Sequence, residues 1–224
     1  MGCYIHLLPA LATDRVHKIT MLEETRNEVQ VAEVTYCLRH LAPTSHYSTV
    51  MLPGDKLKDL PVEVGYTMHC WTRGLRERDG ETIDNVPATH LFMDGKEPRL
   101  FCQRRYSLSL QLPDLMKKVL AEHPSVYLLK TGNHVNIETM EELADGTLVK
   151  ITYYIILHLR KHAPLEQRRV IKLRVETAFP EDLENYERLV YDPKGKNLEV
   201  ILRELWLYRE GAPKPGKGKP KKKK

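Results

Sequence analysis

The chain has 224 residues, 42% of them hydrophobic, which supplies a sizeable core and excludes disorder of the body. Its net charge of +5 is unevenly placed: Gly211 to Lys224 carry seven Lys and no acid, and the preceding 210 residues hold 28 basic and 30 acidic side chains, a net −2. A basic domain is thereby excluded in favour of a near-neutral body with a basic tail.

Cys3, Cys37, Cys70 and Cys102 form no Cys-x-x-Cys pair, so neither a disulfide framework nor a zinc site of the usual spacing is expected. Reduced thiols in a cytoplasmic protein fit this usage. The first thirteen residues lack Lys, Arg, Asp and Glu, but they have no basic n-region and Pro9 breaks the apolar run, so no signal peptide is expected. No uncharged run approaches the ~18 residues that span a bilayer, so no membrane span is expected.

In chain order, Cys3 to Leu8 reads as a short strand, and Thr13 or Asp14 caps a helix with Val16, Ile19 and Leu22 on one side. From Asn27 to Leu38 the alternation changes phase between Val31 and Val34, which predicts a strand with a bulge near Ala32 or Glu33. Ser45 to Leu52 reads as its short partner, closed by Pro53-Gly54. Val62 to Thr72 is a further strand, followed by a polar exposed loop from Arg73 to Asn85. Thr89 to Met93 and Arg99 to Gln111 flank Asp94-Gly95 as a hairpin, with Arg104, Arg105 and Tyr106 in its second strand.

Pro113 opens a helix carrying Leu115, Met116, Val119 and Leu120, which Pro124 ends. Ser125 to Lys130 and His134 to Thr139 form a hairpin about Gly132-Asn133. The longest pattern follows: Val149, Ile151, Tyr153, Ile155, Leu157 and Leu159 alternate with polar residues, and after Pro164 so do Ile171, Leu173, Val175 and Thr177. Both apolar sets are odd-numbered, so the strands pair in register only where partner numbers sum to an even value, such as His158 opposite Val170 or Lys172. Glu181 to Arg188 reads as a short helical turn, Asp192 to Gly195 as a turn, and Asn197 to Glu210 as a strand. The Lys-, Pro- and Gly-rich end is expected to be disordered. The predicted fold is α+β: a mostly antiparallel twisted sheet with one or a few packed helices, one body over residues 1–210 and a tail over 211–224.

Two features carry candidate chemistry. Lys214, Lys217, Lys219, Lys221, Lys222, Lys223 and Lys224 suit polyanion binding by counterion release. The polar face of the long hairpin collects His158, Arg160, Lys172, Arg174 and Glu176, with Tyr154 and Ile156 among them. Arg160, Lys172 and Arg174 there are candidate contacts to RNA or DNA. No metal ligand set and no cofactor is expected, since His158 and His162 have helical spacing on a strand. Phosphate-loop, Gly-x-Ser-x-Gly and His-Glu-x-x-His patterns are absent from the sequence.

Arg174-Val175-Glu176-Thr177-Ala178-Phe179-Pro180 resembles the last strand of RelE-like and barnase-like ribonuclease toxins, which often close on Thr-Ala-Tyr-Pro. The resemblance implies metal-independent RNA cleavage in which a His or Glu moves the 2'-hydroxyl proton and Arg or Lys stabilises the phosphorane charge. His158, Arg160 and Glu176 are then the catalytic candidates and Thr177 the motif Thr. Phe179 stands in place of the motif Tyr, and the alternation assigns Thr177 to the core face. Three functions are carried forward: a nucleic-acid-binding accessory protein, a metal-independent endoribonuclease, and a protein-interaction module with Tyr154 and Ile156 as its exposed centre.

Overall fold

The computed structural model describes residues 27–128, 133–162, 169–181 and 194–207. The strand and helix expected before residue 27, all but the first residue of the turn expected over Glu181 to Arg188, and the tail lie outside these residues.

Twelve strands and three α-helices follow one another among the described residues: β1 (Glu28–Val31), β2 (Val34–Cys37), β3 (Thr44–Leu52), β4 (Lys56–Tyr66), β5 (Thr72–Gly74), β6 (Leu91–Asp94), β7 (Glu97–Phe101), α1 (Gln103–Ser109), α2 (Leu112–Glu122), β8 (Ser125–Leu128), β9 (Asn133–Glu142), β10 (Leu148–His162), β11 (Val170–Pro180), β12 (Lys196–Asn197) and α3 (Leu198–Leu207). The large sheet has the order β12-β8-β9-β10-β11-β4-β3, and β5-β7-β6 and β1-β2 form two smaller ones. Every pairing is antiparallel except β11 with β4. The fold is α+β.

One face of the large sheet makes the main core. Val62 and Val64 of β4, Ile155 and Leu157 of β10 and Leu173 and Val175 of β11 are buried there against Leu112, Met116, Val119 and Leu120 of α2 and Leu198 and Leu202 of α3. Each such side chain contributes ~1.5–3 kcal/mol by leaving water. Helix α2 forms for the expected reasons: Pro113 in its first turn, an apolar stripe, and a left-handed His123 (φ 50°) at its end.

Several expectations are corrected. The pattern from 27 to 38 is two strands joined at Ala32-Glu33, with Val31 paired to Val34 and Ala32 at φ 51°; the phase change marks a chain reversal rather than a bulge. Strand β3 pairs with β4 across Pro53-Gly54, not with the preceding segment, and β4 ends at Tyr66, where the chain turns through a 3-10 segment, Met68–Cys70. The second strand expected over 99–111 stops at Phe101, and Arg104, Arg105 and Tyr106 lie on α1. Its alternation is misleading because Arg105, Leu108 and Ser109, three and four apart, are the buried positions. The segment after Asn197 is helix α3: the Asn197 side chain accepts the Glu199 N–H at 2.8 Å, and Leu198 and Leu202 bury at helical spacing.

Candidate functional site

Strands β10 and β11 pair as a long hairpin whose parity changes once. His158 stands opposite Arg174 and Arg160 opposite Lys172, even sums as required, although His158 meets neither residue offered for it above. Leu157 pairs with Val175, but Ile156 pairs with Thr177, leaving Glu176 as the extra residue of a β-bulge. Thr67 donates its hydroxyl to the Glu176 carbonyl at 2.5 Å, and its N–H donates to the Val175 carbonyl, where β4 leaves the sheet. The bulge moves Thr177 off the core face and onto that of Ile156, which corrects the placement from alternation.

That second face has two parts. Toward the end of β11, Tyr154, Ile156 and Phe179 are buried together, and the Tyr154 and Phe179 rings stack at 5.9 Å. Tyr154 and Ile156 are therefore not an exposed interface centre. Arg105, 1% exposed, closes this end: its guanidinium donates to the carbonyls of His69 (2.7 Å) and Thr72 (2.9 Å) and to the Thr177 hydroxyl (3.1 Å), and lies 5.5 Å from the Phe179 ring centre. Beside it His69 and Asp94 are joined at 2.7 Å (Nε2 to Oδ2). Burial chiefly, with Arg99 nearby, lowers the His69 pKa, and Asp94 opposes the shift.

On the other side of the bulge the face opens into a groove of about 310 Å³. His158, Arg160, Lys172 and Arg174 line it with Glu63, Gly65 and Pro43. Parallel pairing sets Lys172 beside Glu63 and Arg174 beside Gly65. Two rows result: His158, Arg174 and Gly65 in one; Arg160, Lys172, Glu63 and Ser45 in the next. A Cβ built at Gly65 meets nothing within 4 Å, so the absence of a side chain there leaves open space beside Arg174. Lys172 lies 3.7 Å from Glu63, and Arg174 2.7 Å from Glu176. Three cationic side chains face two carboxylates, a net of +1 before His158 is counted.

The predicted residues His158, Arg160, Lys172, Arg174 and Glu176 are thus brought together. Glu63 and Gly65 were missed, although the buried Val62 and Val64 fix which β4 residues face the other way. Lys214 through Lys224 lie outside the described residues, as does any contact they make. Among the described residues no three His, Cys, Asp or Glu converge to hold a metal ion, and no helix is long and apolar enough to cross a membrane. Cys37, Cys70 and Cys102 are free thiols, and burial pushes Cys70 up to about 12.

Fold and groove together define an α+β protein with a helix-backed, mainly antiparallel sheet and a polar groove on its other face. The chain belongs to the YjaZ family, whose model matches residues 28–206, from the first residue of β1 to the penultimate residue of α3. No curated protein and no solved structure matches it.

Proposed function

We propose that this chain is a nucleic-acid-binding accessory protein that holds a polyanion in the groove over β10, β11 and β4, assisted by its Lys-rich tail. The observation that carries this reading is the pair of cross-strand contacts His158–Arg174 and Arg160–Lys172, which align donors along an open groove beside a residue without a side chain. Arg160 and Arg174 present fork-shaped donors suited to phosphate oxygens, and Lys172 a point charge. A net of only +1 makes the groove a positioning site rather than a strong attractor. Bulk Coulomb attraction falls to Lys214, Lys217, Lys219, Lys221, Lys222, Lys223 and Lys224, which bind without reading sequence.

The experiment is a salt titration of labelled RNA and DNA binding to the full chain, to a chain lacking 211–224, to K172Q/R174Q and to Gly65→Val. Deleting the tail weakens binding and flattens its salt dependence, and each groove cation removed lowers the slope by about one. Gly65→Val puts a side chain into the groove at a position where an added Cβ meets nothing within 4 Å, and in a strand Val is the better residue. It therefore loses affinity while its unfolding midpoint stays level or rises. Affinity unchanged in both groove variants overturns the groove; an unchanged slope without the tail overturns the tail's role.

A second reading, metal-independent endoribonuclease, is favoured by one observation: the bulge puts Thr177 on the same face of the hairpin as Ile156 and His158, the face the toxin resemblance requires. It requires RNA cleavage in EDTA that disappears in His158→Ala. Intact RNA after prolonged incubation removes this reading and leaves the binding role standing.

A further inference from the structure

We infer that the groove continues across β4 onto β3 as a track for single-stranded rather than duplex polynucleotide, with Tyr47 as the stacking platform for a base. The inference rests on the binding role proposed above and specifies its ligand.

The row Arg160, Lys172, Glu63 and Ser45 crosses four adjacent strands. Two residues beyond Ser45 on β3, and so on the same face, is Tyr47, directly opposite Pro61 and 62% exposed. Strand geometry fixes the span: two strand spacings across and two residues along place Tyr47 about 12 Å from Lys172. The smallest single-strand sites on sheet surfaces hold ~4 nucleotides, which bridges that distance easily. The next cross-strand pair outward is Thr49–Asp59, with the Thr49 hydroxyl donating to the Asp59 carboxylate at 2.6 Å. Asp59 repels a phosphate on that side. The arrangement therefore has a polarity: phosphates lie toward Arg160, Lys172 and Arg174, and the base lies over Tyr47.

A duplex cannot use this arrangement. Its bases are stacked on one another and offer no free ring face, whereas an unpaired base stacks on an aromatic side chain whatever its identity.

The test is fluorescence anisotropy of the full chain with labelled oligothymidine, oligouridine, a duplex of equal length, an abasic oligomer of equal charge, and inorganic polyphosphate as the base-free polyanion. Tyr47→Ala is expected to lose about tenfold in affinity for oligothymidine or oligouridine and nothing for the abasic oligomer or polyphosphate. Tyr47→Phe keeps the ring and stays near wild type. Comparing oligouridine with oligothymidine separates a ribose from a deoxyribose ligand, and Tyr47 dependence with either supports the track. Wild-type affinity of Tyr47→Ala for both single strands, or a duplex bound as tightly as they are, overturns the stacking role while leaving the groove intact. No binding of any probe at low salt overturns the groove reading itself.

Discussion

Arg105 on α1 donates to the hydroxyl of Thr177 at 3.1 Å, joining a fully buried cation to the first strand residue past the bulge. The same guanidinium nitrogen satisfies the His69 and Thr72 carbonyls, so α1, the 3-10 segment after β4, β5 and β11 share one donor. Truncating it takes that donor from two carbonyls and a hydroxyl and leaves a cavity at a buried site, with the longer bonds from the Thr177 hydroxyl to the His69 carbonyl (3.3 Å) and from Arg99 to the Thr72 carbonyl (3.4 Å) remaining. Arg105→Ala is expected to cost at least about 3 kcal/mol of stability and Thr177→Val about 1 kcal/mol. Arg105→Lys recovers little, because an ammonium does not reproduce the planar fork. Urea unfolding curves of the three variants check the order; an Arg105→Ala midpoint within error of wild type rejects the role.

What the sequence makes legible here is periodicity, and what it hides is where a period breaks. The odd-numbered apolar sets of β10 and β11 identify the hairpin and its core face because a slip of one residue exposes the whole set. They carry no mark of Glu176 as a bulge, since that extra residue is accommodated by Thr67, more than a hundred positions away. Alternation at Tyr106, Leu108 and Leu110 looks like a strand until Arg105 is known to be buried; a buried Arg is legible only with its acceptors in place. Helix α3 had its signal in Asn197 and the Leu198–Leu202 spacing, and the Val200-Ile201-Leu202 run masked it. The basic face was readable because alternation assigns residues to a face whatever the exact register, although the partner of His158, Arg174, did not follow from it. Its other wall was not, because Glu63 and Gly65 arrive through a parallel pairing with a strand over a hundred residues earlier.

Glu81 accepts both guanidinium nitrogens of Arg73 at 2.6 Å and the Arg76 N–H at 2.7 Å, which organises the start of the predicted 73–85 loop. The Arg73 hydrogen bonds, first among the causes, hold the Glu81 carboxyl at about 2 against a usual 4.5. A folded-state pKa below the unfolded one means that the unfolded chain binds more protons between the two values. The contribution is therefore complete above about pH 4.5 and is lost as pH falls through about 2. Glu81→Gln is expected to cost about 1 kcal/mol at pH 7, the scale of a well-oriented pair with partial solvent access. The gap between variant and wild type closes by pH 2; a gap that stays constant from pH 6 to 2 contradicts the assignment.

His123 ends α2 and presents Nε2 to the Ser48 hydroxyl at 2.7 Å, while Ser48 sits 2.9 Å from the Leu120 carbonyl. A carbonyl only accepts, so the Ser48 hydrogen goes to Leu120 and His123 donates from Nε2–H. Burial lowers the pKa of His123, and it is likewise the leading cause at His40, His46, His69 and His134. All five shifts have one sign: the folded state prefers the neutral ring, so the stability they confer is present above the ordinary value of 6.5 and drains away as pH falls below it. The urea midpoint is expected to drop from pH 8 to pH 5, well above the carboxylate range. His123→Asn keeps a residue tolerant of the left-handed backbone (φ 50°) and removes one titrating group, so its deficit against wild type is largest at pH 8 and shrinks toward pH 5. Ser48→Ala, which removes the hydroxyl between Leu120 and His123, lowers the melting temperature by about 2–4 °C per kcal/mol lost. A urea midpoint that is flat from pH 8 to 5 contradicts burial of neutral imidazoles as a source of this protein's stability.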